Sequence, residues 1–245
     1  FDMEFTPEQF ATTGRIGNVM TAFLSSAQTR QGDRLRLRVI NPTSDRIFTI
    51  RLDGVSGFCV AFDGMPLSEP ELLGDLVLAP GQRIDVVADV TGEVAIIETT
   101  GAGGIELARI LIDGERQPRS NDISPLPANP LPAPGPIAHH ADLVMQGGAG
   151  GSAHGGYGTW AFNNESSLPS EPLVSVLRGD TVRLRLINDT AFPHGIHLHG
   201  HHFWETAMDG IPTYLRDTTL VAAGETRDVL CVLDNPGSWL LHCHM

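Results

Sequence analysis

Two stretches of the sequence match one another, QGDRLRLRVINPTSDRIFTIRLDGVSGFCVAFDGMP at residues 31–66 and RGDTVRLRLINDTAFPHGIHLHGHHFWETAMDGIP at residues 178–212. The match needs only one gapped position. It continues downstream through three further pairs of residues, Gly81 with Gly224, Asp85 with Asp228, and Gly92 with Gly237. Similarity at a fixed spacing is the signature of a repeated structural unit. The sequence therefore predicts one kind of domain that is used twice.

The type of domain follows from short apolar runs in both copies, such as DRLRLRVIN, RIDVVADV, TVRLRLIN and TRDVLCVLD. Each run alternates or clusters apolar and β-branched residues, and Gly, Pro, Asn or Asp separates one run from the next. No stretch longer than a turn or two has a helical period. Many short strands with regular turns are typical of a β-sandwich or barrel. We therefore predict an all-β fold for both copies.

The boundary between the copies falls in a Pro-rich segment, RQPRSNDISPLPANPLPAPGPIA at residues 116–138. Its seven prolines favour an extended chain that cannot pair as a central strand. We predict a first domain at residues 1–115, a linker at 116–138 and a second domain at 139–245. A Gly-rich stretch at residues 147–158 predicts a flexible loop, in which His154 is expected to be solvated.

Composition excludes some classes of function. The 29 acidic and 16 basic residues give a net charge of −13, and no basic cluster is present, which argues against a nucleic-acid partner. The sequence contains no run of 18 apolar residues, so it predicts no membrane span, and its first residues lack the pattern of a signal peptide. Three scattered cysteines do not make a disulfide framework. Cys59 and Cys231 lie in apolar runs and are expected to be free, buried thiols.

The histidines are confined to the second half of the chain, because none of the ten precedes residue 139. Positions that both copies share predict the scaffold, whereas positions that differ point to chemistry. Six such differences fall in two short strands of the second copy: His194, His197 and His199 replace Phe48, Arg51 and Asp53, and His242, Cys243 and His244 replace Ile97, Glu98 and Thr99.

Strand geometry predicts how these six side chains are divided. Alternate residues of a strand share a face, so His197 and His199 point the same way, as do His242 and His244. If the two strands pair, four imidazoles meet on one side. Cys243 must then point to the other side, where His194 is its natural imidazole partner. A thiolate with imidazoles suits copper in an electron-transfer site, although a single HxH pair is also compatible with zinc or with no metal.

Several motifs resemble those of the multicopper oxidases, the laccase-like family that is built from cupredoxin domains. HGIHLHGHHFWE at 194–205 resembles the HxxHxH element of that family, and NPGSWLLHCHM at 235–245 resembles the start of its HCHxxxHxxxxM element. TWAFNN at 159–164 is similar to the strand that precedes the core of the third domain. The resemblance covers nearly the whole chain. It implies two consecutive cupredoxin-like, plastocyanin-like Greek-key domains, the second and third of a three-domain enzyme, with the last one truncated at its C-terminus.

The resemblance also implies roles for residues. His194 and Cys243 would hold a type-1 copper, His197 a type-2 copper, and three further histidines the type-3 pair: His199, His242 and His244. The peptide bonds from Cys243 to its two neighbours would conduct electrons between the sites, which makes His242, Cys243 and His244 the catalytic strand. The implied function is a copper-dependent oxidoreductase that couples one-electron oxidation of a small substrate, phenol-like or a metal ion, to reduction of dioxygen to water. The family is mostly exported, which implies a periplasmic or secreted protein.

The sequence departs from the family pattern in its number of ligands. The family uses four HxH pairs, of which two are present here, so we expect an N-terminal cupredoxin domain to be missing and the isolated fragment to be inactive. The family's second type-1 histidine and axial ligand follow the cysteine by five and ten positions, and Met245 is not expected to replace them. His201 and His202 are expected at a strand end or behind the ligands, and His139 and His140 are expected to be solvated.

An alternative function stays open at this point. A non-catalytic copper-binding cupredoxin module, either an electron carrier or a degenerate relative, would also retain the ligands of a single domain. It predicts one coloured copper site and no trinuclear cluster, even in the complete gene product.

Overall fold

The computed structural model describes residues 20–100, 103–148 and 158–245. These residues form strands and loops without any helix, which confirms the all-β prediction. The described part of the chain thus includes no helix that could span a membrane. His154 and most of the predicted Gly-rich loop lie outside the described residues.

The described residues divide into two compact units, one up to Asn129 and the other from Pro130 onwards. This division falls within the Pro-rich segment, while the exact limits 1–115 and 139–245 stay a prediction. The first unit is one seven-stranded sheet in the order β1-β7-β6-β3-β4, in which β2 pairs with β6 and β5 pairs with β3. Its strands are β1 (Gln28–Gln31), β2 (Arg34–Ile40), β3 (Phe48–Phe62), β4 (Met65–Leu72), β5 (Leu76–Leu78), β6 (Arg83–Glu98) and β7 (Ile105–Glu115).

The second unit contains two sheets. The six-stranded sheet has the order β13-β12-β15-β10-β8-β9, and the three-stranded sheet has the order β14-β11-β16. The strands are β8 (Ile137–Gly148), β9 (Gly158–Phe162), β10 (Thr181–Asn188), β11 (His194–Leu198), β12 (Phe203–Thr206), β13 (Pro212–Arg216), β14 (Thr218–Val221), β15 (Thr226–Val232) and β16 (Leu241–Cys243).

The core of the second unit lies between its two sheets. Val182, Leu186 and Cys231 come from the larger sheet, and Ile196 and Val221 come from the smaller one, all at most 1% exposed. In β10, from Val182 onwards, the buried side chains alternate with more exposed ones, as the sequence pattern predicts for a strand with one buried face. The second unit is therefore a sandwich of two sheets.

The two copies share strand register as well as sequence. In the first unit Arg51 pairs with Ile97 in the β3-β6 ladder. At the equivalent position of the second unit His197 pairs with His242, in the β11-β16 ladder. The order of the three strands involved is also the same, with β5-β3-β6 in one unit matching β14-β11-β16 in the other. The two histidine strands therefore lie on a scaffold that the first unit forms without any histidine.

Replacement of Ile196 by Ala tests the packing beneath these strands. Ile196 is fully buried in the core cluster, and truncation of such a side chain leaves a cavity that costs about 2–5 kcal/mol. Leu177→Ala is the matched control, because Leu177 is 78% exposed and surface changes cost within about 0.5 kcal/mol. All three tryptophans lie beyond residue 158, so urea unfolding followed by their fluorescence reports on the second unit. Equal midpoints for the two variants would contradict this packing.

Candidate metal centre

Strands β11 and β16 are antiparallel neighbours, and their register decides which side chains meet. Ile196 lies opposite Cys243, and His197 lies opposite His242. Residues opposite one another in a ladder project to the same face of the sheet. Cys243 therefore shares the buried face with Ile196, whereas the histidines that flank Cys243 share the other face with His197.

Four imidazole rings lie together on that other face. The His197 ring is 4.9 Å from the His199 ring, 5.6 Å from the His242 ring and 5.9 Å from the His244 ring, measured between centroids. His197, His199 and His242 each offer a nitrogen, and these three nitrogens lie within 4.8 Å of one another. His244 stands at the edge of the cluster, with its ring stacked 5.8 Å from that of His242. We call these four residues the histidine cluster.

Hydrogen bonds fix which nitrogen each ring presents to the cluster. His197 Nδ1 is 2.9 Å from the backbone oxygen of Asp217 and 2.9 Å from Thr218 Oγ1, whose own hydrogen goes to Asp217 Oδ1. His242 Nδ1 is 2.8 Å from the backbone oxygen of Cys243. Because carbonyl oxygens only accept, both Nδ1 atoms carry the hydrogen, and in a neutral ring Nε2 is left with its lone pair. Both rings therefore present a metal-binding nitrogen.

The shortest contact in the cluster joins His199 Nε2 to His242 Nε2, at 3.0 Å. Since His242 Nε2 is an acceptor, His199 supplies the hydrogen of this bond. Burial lowers the pKa of His242, and the neighbouring rings of His197, His199 and His244 lower it further by charge repulsion. His242 is therefore favoured as the neutral imidazole that can bind a metal, and a cation between His199 and His242 would replace the hydrogen of their bond.

The buried face holds a second pair of donors. Cys243 Sγ lies 3.5 Å from His194 Nδ1, and His194 Nε2 lies 2.8 Å from Thr190 Oγ1. His194 is only 7% exposed, and the edge of the Trp160 ring packs against it at 5.1 Å between centroids. Burial lowers the pKa of His194 to about 4. Burial also raises the pKa of the Cys243 thiol, although the backbone N–H groups of Met245 and Gly195 act in the opposite direction and lower it. The metal-free pair is therefore an uncharged thiol and imidazole.

The donor chemistry of both faces fits copper. A cysteine sulfur beside an imidazole nitrogen is the core of a copper electron-transfer site, and three imidazole nitrogens within reach of one ion suit copper equally well. The two donor sets share one strand, so their separation is set by the strand itself. His194 and Cys243 would form one copper-binding donor set, and the histidine cluster would form the other.

The other four histidines of the described residues lie outside these two donor sets. His201 is 6% exposed, and its Nε2 accepts a hydrogen from the backbone of Asn235 at 3.2 Å. His202 Nε2 lies 3.9 Å from Asp217 Oδ2. His139 was expected to be solvated, yet it is half-buried with Nε2 3.2 Å from Asp180 Oδ2, whereas His140 is exposed.

Sequence reasoning missed the residues that orient the ligands. Asp217 lies in the bend before β14 and Thr218 is the first residue of β14, both about 20 residues from His197 in sequence, and nothing in the sequence pattern linked them to it. Thr190 could have been noticed, because the Asn-x-Thr segment occurs in both copies, at 41–43 and at 188–190.

A family model described as multicopper oxidase matches residues 145–245. The matched segment contains both histidine strands. Residues 145–245 belong to the multicopper oxidase family. Copper, predicted as the cofactor from the sequence, is the metal of these oxidases.

Individual multicopper oxidases match nearly the whole chain. The multicopper oxidase MmcO of Mycobacterium tuberculosis is 30% identical over 251 residues, which are 96% of this chain and 47% of the relative. The crystal structure of Lac15 from a marine microbial metagenome is 44% identical with a TM-score of 0.82, over 95% of this chain and 57% of that chain. A multi-copper oxidase from Pseudomonas thermotolerans is 28% identical with a TM-score of 0.79, over 98% of this chain and 59% of that chain. The chain thus spans about half the length of these relatives.

Single-ligand variants test whether the two faces bind metal independently. In the chain loaded with Co(II), a redox-inert probe, Cys243→Ser should abolish the thiolate-to-metal absorption and leave binding to the histidine cluster. His199→Ala should keep the thiolate-to-metal absorption and weaken metal binding to the cluster at least about tenfold. Loss even of a hydrogen-bond partner behind a ligand lowers metal affinity by about 10–100-fold.

Cys231→Ser is the matched control for these titrations. Cys231 is fully buried, and burial raises the pKa of its thiol to about 12, so we expect this variant to keep the absorption. Loss of the absorption in Cys231→Ser, or in His199→Ala, would contradict the assignment of Cys243 and the separation of the two faces.

Proposed function

We propose that the chain is part of a copper-dependent oxidoreductase that couples one-electron oxidation of a small substrate, phenol-like or a metal ion, to reduction of dioxygen to water. The observation on which this proposal rests is the β11-β16 pair, which presents a Cys-His donor pair on one face and a histidine cluster on the other. The relatives named multicopper oxidase and laccase support it.

The proposed ligands follow the two faces. His194 and Cys243 would hold a type-1 copper, His197 a type-2 copper, and three histidines the type-3 pair: His199, His242 and His244. Copper, when bound, would supply the one-electron redox chemistry. Two distances support these assignments: Cys243 Sγ lies 3.5 Å from His194 Nδ1 on the buried face, and His199 Nε2 lies 3.0 Å from His242 Nε2 within the cluster.

The chain itself provides the connection between the two faces. Cys243 is joined to His242 and to His244 by single peptide bonds, so the backbone of three residues links both donor sets. The bond from His242 Nδ1 to the Cys243 carbonyl, at 2.8 Å, adds a second connection that bypasses one peptide unit. We therefore assign His242, Cys243 and His244 as the catalytic strand, because they combine ligands for both sites with the path between them.

Surrounding residues have supporting tasks in this proposal. Asp217 and Thr218 orient His197 through Nδ1, which directs its Nε2 towards the cluster. The Trp160 ring packs against His194, which is only 7% exposed. Partial exclusion of water strengthens the electrostatic interactions of that imidazole.

The proposed reaction needs ligands beyond those in these 245 residues. The resemblance implies four HxH pairs, and the sequence has two, so we infer that an N-terminal cupredoxin domain supplies the others. The chain's coverage of about half of each relative supports this inference. We also infer a periplasmic or secreted location, from the family resemblance alone.

The oxidase activity should require both faces of β16 and the additional domain. We expect the copper-loaded 245-residue chain to oxidise a phenol no faster than the same concentration of free copper, because half of the cluster ligands are absent. In the complete protein, oxygen consumption should be well above that level, and Cys243→Ser or His199→Ala should each return it to the level of free copper. Cys231→Ser should retain the oxygen consumption of the unchanged complete protein.

Two outcomes would contradict the proposal. One is turnover by the 245-residue chain well above free copper and sensitive to Cys243→Ser, which would refute the ligand count. The other is a complete protein that has one coloured copper site and consumes no oxygen, which would identify a carrier instead of an oxidase.

A further inference from the structure

The buried side chain of Asn188, which is 2% exposed, hydrogen-bonds to the backbone of the loop between β10 and β11. Its Nδ2 donates to the backbone oxygens of Phe192 at 2.7 Å, Val221 at 3.2 Å and Ala222 at 2.9 Å. Its Oδ1 accepts from the backbone N of Thr190 at 3.1 Å and from Thr190 Oγ1 at 2.7 Å. The amide therefore holds the segment that leads directly into His194.

The first unit contains the same turn. Asn41 Nδ2 donates to the backbone oxygens of Arg46 at 2.7 Å and Leu78 at 3.0 Å. Asn41 Oδ1 accepts from the backbone N of Thr43 at 3.1 Å and from Thr43 Oγ1 at 2.7 Å. Phe48 stands there in place of the histidine. The threonine hydroxyl thus belongs to a scaffold that forms without any metal ligand.

In the second unit the same hydroxyl makes two additional contacts: the backbone N of Phe192 donates to Thr190 Oγ1 at 3.2 Å, and His194 Nε2 lies 2.8 Å from it. A hydroxyl has one hydrogen, and both its scaffold partner Asn188 Oδ1 at 2.7 Å and the backbone oxygen of Phe192 at 3.0 Å can only accept. The scaffold bond therefore uses the hydrogen, and Thr190 Oγ1 can only accept from His194.

The direction of that bond determines the tautomer of His194. If Nε2 donates, it carries the hydrogen of the neutral ring, and Nδ1 is left with its lone pair. Nδ1 is the atom that faces Cys243 Sγ at 3.5 Å. In the opposite tautomer an N–H would point at the sulfur, and the nitrogen could not be a ligand.

We propose that Thr190 is a positioning residue that fixes His194 as the Nε2–H tautomer and so directs the Nδ1 lone pair towards Cys243. The tautomer stands independently of the proposed function, whereas its consequence for copper binding rests on that function. Hydrogen-bond partners of metal-ligating histidines change metal affinity by about 10–100-fold.

The tautomer can be measured in the metal-free chain by long-range ¹H–¹⁵N correlation NMR of the His194 ring at neutral pH. The wild-type chain should show only the Nε2–H form. Thr190→Val, which removes the hydroxyl at nearly constant volume, should populate the Nδ1–H form, and Thr190→Ser should restore the wild-type spectrum. Thr43→Val is the matched control, because it removes the same scaffold bond from the first unit and should leave the His194 spectrum unchanged.

Copper affinity of the same variants supplies a second measurement. Thr190→Val should weaken binding at the Cys243 site by about 10–100-fold, while Thr190→Ser and Thr43→Val should bind as the wild type does.

The outcomes separate this proposal from the proposed function. A wild-type spectrum with the Nδ1–H form would overturn the proposal without any variant, as would an unchanged tautomer in Thr190→Val. A changed tautomer with wild-type copper affinity would overturn the link to the ligand. A changed tautomer in Thr190→Val, together with a complete protein that binds no copper at Cys243, would support the tautomer and overturn the proposed function.

Discussion

Neighbouring side chains of a β-strand point in opposite directions, and this constraint on Leu241–Cys243 organises the whole site. It places the Cys243 sulfur against the core while the flanking histidines meet His197 on the other face. A shift of one residue would exchange the two faces. The core prevents that shift, because Ile196 and Leu198, on the same face as Cys243, are at most 6% exposed and packed in the cluster between the sheets. Hydrophobic packing therefore determines which donors lie on the same face.

Burial determines the charge of the donors before any metal is present. It raises the pKa of the Cys243 thiol and lowers the pKa of His194 and His242, so these three groups are neutral in the metal-free chain. This arrangement allows the second unit to fold without an unpaired buried charge, which would be costly. A cation that binds Cys243 must displace its proton, so metal binding and proton release are linked on the buried face.

The sequence is sufficient for those features of the site that depend on periodicity. The alternation of His197 with Leu198 and of His242 with Cys243 predicts the faces. The register comes from the structure, in which the Arg51–Ile97 pair and the His197–His242 pair coincide in the two ladders. The contacts that orient the rings could not be predicted in this way. Asp217 reaches His197 from the turn into β14, and His139 meets Asp180 across 41 residues. Such contacts depend on how strands and turns approach in space, which spacing along the chain does not encode.

The central claim is that one strand holds two copper sites on its opposite faces. Anomalous diffraction at the copper absorption edge, from crystals of the copper-loaded protein, tests it most directly. The account predicts two separate groups of copper peaks, one beside Cys243 Sγ and His194 Nδ1, and the other among the rings of His197, His199 and His242. Copper on only one face of β16, or bound away from these residues, would contradict it.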